Sequence, residues 1–246
     1  MALVSIIIPY YKKRGYIKHS IQSVLNQTFQ DFEIILVYDD DDKDDLLFIE
    51  KNYSDNLKVK IIKNPKNLGA GTSRNIGINN SIGKMIAFLD ADDYWMPQKL
   101  EKQLSFMKKN NYKFTFCNYQ RTINKKVVEV ISNKKQISYN DLLTDCEIGL
   151  STVILERSIV VENLFPPLKT KEDFLAWLKI TKRNIIAHNL PEILVNWNYS
   201  KNSLSGNFFQ KIFDGYKIYS DYLNLGLFKS IYYLALLSFN SLKRKL

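Results

Sequence analysis

Two rhythms of apolar and polar positions alternate along the first half of the chain. Val4–Pro9 is a near-continuous apolar run, the pattern of a strand buried on both faces. From Tyr16 to Leu25 the apolar residues Ile17, Ile21, Val24 and Leu25 fall at helical spacing. The pair of patterns then recurs. Strands are predicted at Glu33–Val37, Val59–Ile62, Met85–Leu89 and Phe114–Cys117. Between them lie a helix through Leu46, Leu47 and Ile49, a glycine-punctuated loop and helix over Asn67–Gly83, and a helix running to Met107. Proline is tolerated in a first helical turn, which places Pro97 at the start of the last of these. Strands alternating with helices predict an α/β fold, a mostly parallel sheet flanked by helices. No repeat or linker interrupts the pattern, so one domain over residues 1–206 with a helical C-terminal extension over 207–246 is expected.

Ligands of such sheets collect at the carboxyl ends of the strands. Two acidic clusters fall there, LVYDDDDKDD (36–45) and FLDADDYW (88–95). The first puts six aspartates into seven positions, Asp39 to Asp45, broken only by Lys43. Three readings stay open for it: a metal cage, a solvated loop, or a loop in which one aspartate reads a ligand. The second contains the Asp-x-Asp pair Asp90 and Asp92. Alternate residues of an extended chain point to opposite sides, so this pair shares a site only if the chain turns. One carboxylate can then bind magnesium or manganese, which are often held by one or two carboxylates plus substrate phosphates, while the other contacts a sugar or the cation's water.

Charge and composition narrow the partners. The formal net charge is +10, yet residues 1–100 hold 13 Lys/Arg and 13 Asp/Glu. The excess therefore sits wholly in the second half. A basic half predicts an anionic partner, whether phosphate, nucleic acid or anionic lipid, or else a solvated lysine-rich surface. Cys117 and Cys146 are far apart and outside CxxC spacing, which predicts reduced thiols, a cytoplasmic setting and no zinc site. The chain shows no signal-peptide pattern, and no apolar run approaches the ~20 residues that span a bilayer.

The order VSIIIPYYKKRGYIKHSIQSVLNQTFQDFEIILVYDDD, then NPKNLGAGTSRNIGI, then GKMIAFLDADDYWMPQKLEKQ resembles the family 2 glycosyltransferases with a GT-A, Rossmann-like fold. The resemblance is dense over residues 3–107. It implies transfer of a sugar from a nucleotide diphosphate sugar, usually a UDP-sugar, with inversion. It also implies a divalent cation, Mn2+ or Mg2+, on Asp92 and Asp90. Asp39 matches the aspartate that contacts uracil, while Tyr38 and Asp40 depart from the family's usual aspartate and glycine. Asp41, Asp42, Asp44 and Asp45 read as solvated loop and helix-start charge. Pro9 and Tyr11 match positions that embrace the base, and Asn67, Gly69 and Gly71 belong to the adjoining loop. Arg74 matches an arginine near the base and diphosphate, a role that suits a guanidinium.

The family's catalytic base lies in a Glu-Asp pair that opens a helix. Glu172 and Asp173 fit, ahead of an apolar face of Phe174, Leu175 and Leu178. Thr170 and Asp173 also have capping-box-like spacing, the competing reading for Asp173. STVILERS (151–158) resembles an acceptor-side segment. In WNYSKNSLSG (197–206), Ser200 stands where relatives carry a metal-contacting histidine, with Lys201 beside it and Ser203, Leu204 and Ser205 keeping the family's ending. His188 reads as structural. The tail carries ten aromatics between Phe208 and Phe239 and ends in Lys243, Arg244 and Lys245, a mixture suited either to a membrane interface or to core packing. The expected partners are a nucleotide-sugar donor, a glycan or lipid-linked saccharide acceptor of the bacterial surface, and an anionic membrane, with no nucleic acid. The rivals are a nucleotidyltransferase, whose Gly-rich triphosphate signature is absent, and a non-catalytic sugar-nucleotide-binding protein.

Overall fold

Successive side chains of β1 (Val4–Tyr10) point to opposite faces of the sheet, and both faces are covered. Ile6, Ile8 and Tyr10 face one layer, and Ile7 faces the other. The structure, a computed structural model, describes residues 2–123, 126–132, 134–198 and 208–243. Its first half is the predicted alternation: β1, α1 (Arg14–Leu25), β2 (Phe32–Tyr38), α2 (Lys43–Tyr53), β3 (Val59–Lys63), α3 (Ala70–Asn79) and β4 (Met85–Phe88). There follow β5 (Tyr94–Trp95), α4 (Lys99–Asn110), β6 (Phe114–Ile123), β7 (Lys126–Val130), β8 (Gln136–Ile137), α5 (Tyr139–Thr144), β9 (Ile154–Glu156), α6 (Glu172–Thr181) and β10 (Ala187–Asn198). Two helices, α7 (Phe208–Lys217) and α8 (Leu227–Lys243), complete the described chain.

The sheet order is β3-β2-β1-β4-β9-β6-β10-β5. Strands β3, β2, β1 and β4 are parallel neighbours, as are β6 and β10. Between these blocks β9 runs antiparallel to both β4 and β6. Part of the STVILERS segment is thus a core strand, with Val153, Ile154 and Leu155 fully buried. Pro97 precedes α4 rather than opening it, since the first helical residue is Lys99. One layer of the core holds Ile17, Ile21 and Val24 of α1, Leu46 and Ile49 of α2, and Leu100 and Met107 of α4. The other holds Ile78 of α3 together with Phe174, Leu175 and Trp177 of α6.

The C-terminal helices share that second layer. Ile218, Tyr219 and Leu237 are buried in the same cluster as Phe174 and Trp177. Tyr219 donates its hydroxyl to the Leu143 carbonyl at 2.8 Å, and Asn240 Nδ2 donates to the Thr144 carbonyl at 2.9 Å. The opposite surface is apolar and open: Phe209, Phe213, Leu227, Phe228, Ile231, Tyr232, Phe239 and Leu242 are all exposed. The tail therefore packs into the core through one face and leaves apolar side chains exposed on the other. No helix among the described residues is long and apolar enough to cross a membrane. His188 stacks on Tyr112 with ring centroids 3.5 Å apart, a structural placement, and both cysteines are free.

Candidate active site

The first acidic cluster is built from its carboxylates outward. Asp39 is buried and accepts from Asn64 Nδ2 at 2.7 Å, the Leu68 amide at 2.7 Å and the Gly69 amide at 2.8 Å. Three of its roughly four lone-pair directions are thus engaged in tying the β2 loop to the loop before α3. Asn67 adds a bond from Nδ2 to the Asp39 carbonyl. Asp40 keeps an ordinary backbone despite standing at the family's glycine position, and it accepts from the Lys12 amide at 2.9 Å. Asp42 caps α2 by accepting from the Asp44 and Asp45 amides, as helix-start charge should. Asp45 corrects the expectation of a solvated residue: it is buried, takes the Tyr10 hydroxyl and pairs with Arg14 at 3.2 Å. Tyr38, in place of the usual first aspartate, is buried, stacks on Tyr10 and donates to the Asp42 carbonyl. Asp39, Asp42 and Asp45 are thus engaged in the protein's own hydrogen bonds and ion pairs.

The second cluster sits where β4 ends. The chain does turn there, with the Asp93 amide donating to the Asp90 carbonyl at 3.0 Å. The loop is pinned from below. Asp93 is buried and accepts the Ser151 hydroxyl at 2.6 Å and the Asn198 amide at 3.0 Å, while Ser151 Oγ accepts from the Asp90 amide at 3.1 Å. Burial, then the nearby Asp90 charge, push the Asp93 carboxyl well above the usual range. Nothing in the local sequence around Asp93 and Ser151 marks this supporting role, because only burial reveals it.

Asp90 and Asp92 each face a cation of the protein itself. Asp90 Oδ1 pairs with Arg74 at 2.8 Å, and Asp92 Oδ2 pairs with Lys13 Nζ at 2.6 Å. Burial raises the Asp92 pKa, with Lys13 acting against it. Each of the two carboxylates is thus paired with a positive charge. No group of three metal-type side chains converges among the described residues. Two carboxylates nevertheless fit magnesium or manganese bound jointly with a diphosphate, since those ions keep waters and phosphate oxygens as their other ligands. Ser200, Lys201, Ser203, Leu204 and Ser205, at the family's metal-contacting element, lie outside the described residues, as do Arg244 and Lys245.

Arg74 joins the two halves of the site. It is 4% exposed and donates to Asp90 and, through its other terminal nitrogen at 2.6 Å, to Glu172 Oε1. Its Nε is buried without a partner. Burial works against its charge, but Asp90 and Glu172 more than offset that and raise its pKa. The guanidinium fork therefore grips two carboxylates. Two glycines allow this approach. Gly69 adopts φ 85°, a conformation that favours glycine, and a Cβ on Gly71 would lie 2.6 Å from the Pro166 carbonyl.

Glu172 and Asp173 open α6, as predicted, but the capping reading fails. The residue before the helix is Lys171, in the left-handed region, with no side-chain cap. Thr170 bonds instead to Asp214 of α7. Asp173 accepts from the Phe174 amide at 2.7 Å. Its carboxyl is pushed up to about 6, first by burial, then by the Glu172 charge, with Arg74 acting in the opposite direction. Pro9 is half-buried near the end of β1 and Tyr11 is exposed just beyond it.

The arrangement is two ion-paired carboxylates at the end of β4, an arginine that bridges to α6, and a buried Asp173 carboxyl with a raised pKa. A model of "Glycosyl transferase family 2" matches residues 5–150. The chain is 39% identical over 233 residues to the Escherichia coli UDP-Glc:alpha-D-GlcNAc-diphosphoundecaprenol beta-1,3-glucosyltransferase WfgD, covering 94% of this chain and 90% of WfgD. It is 30% identical over 247 residues to the putative teichuronic acid biosynthesis glycosyltransferase TuaG of Bacillus subtilis, covering 99% and 98% of the two chains. The fold matches that of S. aureus TarS (residues 1–349) in complex with UDP-GlcNAc at a TM-score of 0.75 and 21% identity, over 99% of this chain and 72% of that one. The chain belongs to glycosyl transferase family 2 and is a glycosyltransferase.

Proposed function

We propose that this glycosyltransferase moves a hexose from a UDP-sugar to a saccharide carried on a lipid diphosphate, with inversion. The observation that carries the reading is Arg74 bridging Asp90, at the carboxyl end of β4, and Glu172, with Asp173 beside Glu172 at the start of α6 and its charge felt by Arg74. Asp173 takes the proton of the acceptor hydroxyl. The freed oxygen bonds to the anomeric carbon, the carbon–phosphate oxygen bond breaks, and the electron pair leaves with UDP. One displacement by one nucleophile inverts the centre. Asp90 and Asp92 would hold Mn2+ or Mg2+. When bound, the cation supplies neutralising charge to the diphosphate leaving group. Pro9, Tyr11 and the remaining acceptor direction of Asp39 border the base, and Asn67 and Gly69 hold Asp39 in place. The names of WfgD and the TarS complex support a UDP-sugar donor, and that of WfgD supports a lipid diphosphate acceptor.

The test is a thermal-shift and hydrolysis screen of UDP-glucose, UDP-galactose and UDP-GlcNAc with and without Mn2+. At least one donor should raise the melting temperature and be turned over only with the cation. Asp92→Ala is expected to remove the Mn2+-dependent part of UDP binding. Asp42→Ala should cost only about 1 kcal/mol of stability, the value of a helix cap. Equal loss of binding from both changes would return the cation to the first cluster.

The exposed apolar face of α7 and α8 is proposed to rest on an anionic membrane, within reach of a lipid-linked acceptor. Lys217, Lys229 and Lys243 accompany its aromatics. Deleting the tail would also remove the buried Ile218, Tyr219 and Leu237, so point changes are the cleaner probe. Phe228→Ser with Tyr232→Ser is expected to weaken sedimentation with phosphatidylglycerol vesicles at least tenfold, since burying each ring contributes about 1.5–3 kcal/mol. A wild-type protein that ignores such vesicles at low salt would end the proposal.

A further inference from the structure

The left-handed residue that starts α6 has its support from a distant helix. Lys171 sits at φ 62° and ψ 19°, two residues before Asp173, and no side chain caps the helix. Left-handed backbone at a lysine is unfavourable and persists only where the surroundings hold it. The holding group is Asp214 of α7, which is 3% exposed. Its Oδ2 accepts from both the Thr170 amide at 2.9 Å and the Thr170 hydroxyl at 2.8 Å. Its Oδ1 accepts from Gln210 Nε2 at 3.0 Å, which fixes the carboxylate's orientation. The next residue, Gly215, brings α7 close to Lys171 and α8. A Cβ there would lie 2.8 Å from Leu234 Cδ1 and 3.6 Å from Lys171 Cε. Tyr219 continues the contact, with its ring 6.3 Å from that of Phe174.

We propose that Asp214 is a positioning residue for the reaction, a latch through which the C-terminal helices hold the turn that aims Glu172 and Asp173. The proposal rests on the reading of Asp173 as the base. Without the latch, the Thr170–Lys171 turn relaxes toward ordinary backbone and the first turn of α6 reorients. The donor side of the site, built on β1, β2, α3 and the β4 loop, contains no residue of this latch. Loss of Asp214 should therefore lower kcat and leave nucleotide affinity alone.

The experiment compares full-length wild type, Asp214→Ala, Asp214→Asn and Thr170→Val, with Asp173→Asn as the parallel control. The probe is UDP-glucose, UDP-galactose or UDP-GlcNAc, whichever the wild type turns over fastest with Mn2+. Asp214→Ala is expected to lower kcat at least tenfold, with donor KM and UDP affinity within twofold of wild type. Amide exchange over residues 170–175 should quicken by at least tenfold. Asp214→Asn keeps an acceptor oxygen for Thr170, and the Gln210 amide can turn to meet it. It should restore both kcat and exchange to within about threefold. Thr170→Val loses only the hydroxyl bond and should fall between. A folded Asp214→Ala protein with wild-type kcat, or with unchanged exchange over 170–175, overturns the proposal. So does a parallel loss of UDP affinity, which would mark Asp214 as a general structural anchor. If Asp214→Ala does not fold, Thr170→Val decides: unchanged kcat and exchange overturn the latch. Near-normal turnover by Asp173→Asn would overturn the base reading instead, and the amide exchange would still judge the latch.

Discussion

Asp173→Asn is expected to lower transfer by roughly 100- to 10,000-fold, the usual contribution of a general base, while fold and Mn2+-dependent UDP affinity stay normal. Asparagine has the same shape and can still accept the Phe174 amide that Asp173 now holds. What it lacks is a site for the acceptor's proton. The pH profile adds a second check. Burial and the Glu172 charge push the Asp173 carboxyl up to about 6, so the proposed base is protonated and idle below that value. Wild-type kcat should therefore rise with pH through a limb near 6, and the residual activity of Asp173→Asn should lack that limb.

Stability runs the other way. A carboxyl whose pKa is raised on folding binds its proton more tightly in the native state. Its stabilising contribution is full below the ordinary carboxylate pKa and is lost as pH rises through about 6. Above that pH the charged Asp173 works against folding, and Asn does not. The variant should melt at or above the wild-type temperature at pH 8 and close to it at pH 4. Near-normal transfer by the folded variant would move the base elsewhere, with Glu172 the next candidate. Glu172 is less suited because Arg74 already holds it at 2.6 Å.

Elements with a long periodic signal were legible in the sequence. The alternation through β4 and the α4 and β6 pair follows from side-chain periods that any chain of this pattern must bury. The Asp90, Asp92, Glu172 and Asp173 positions were legible through spacing and family resemblance. Short elements were not. β9 has three residues and β5 has two, too few for a period to register. Nor were the pairings that set the site's electrostatics. Lys13 meets Asp92 across 79 positions, Arg74 meets Glu172 across 98, and Thr170 meets Asp214 across 44. Nothing local marks such partners. Thr170 illustrates the cost of reading locally: its spacing to Asp173 mimics a cap, and its hydroxyl instead serves a helix that joins the core from elsewhere. Asp45 is the same lesson in the acidic cluster, where a neighbouring strand's Tyr10 converts apparent surface charge into buried structure.

Arg74→Ala is expected to destabilise the protein by about 3 kcal/mol and to remove nearly all transfer. Breaking a buried pair typically costs about 3–5 kcal/mol because a charge is left uncompensated. Here the two carboxylates left behind keep some solvent contact, at 33% for Asp90 and 14% for Glu172, which places the cost at the lower end. That is still a large share of the ~5–15 kcal/mol that holds a typical domain folded. Arg74 also restrains the Asp173 pKa, so its loss leaves the base more basic and less often free. Arg74→Lys separates the effects. Lysine keeps the charge but is a single point that cannot reach two carboxylates as the planar fork does. The lysine variant should fold with a smaller loss of melting temperature, retain UDP binding, and show transfer at least tenfold below wild type with its acid limb still near 6, since the charge that restrains Asp173 is kept. Wild-type kcat in a folded Arg74→Lys protein would mean that charge alone is needed at this position. The bridge between the donor and acceptor halves would then have no part in turnover.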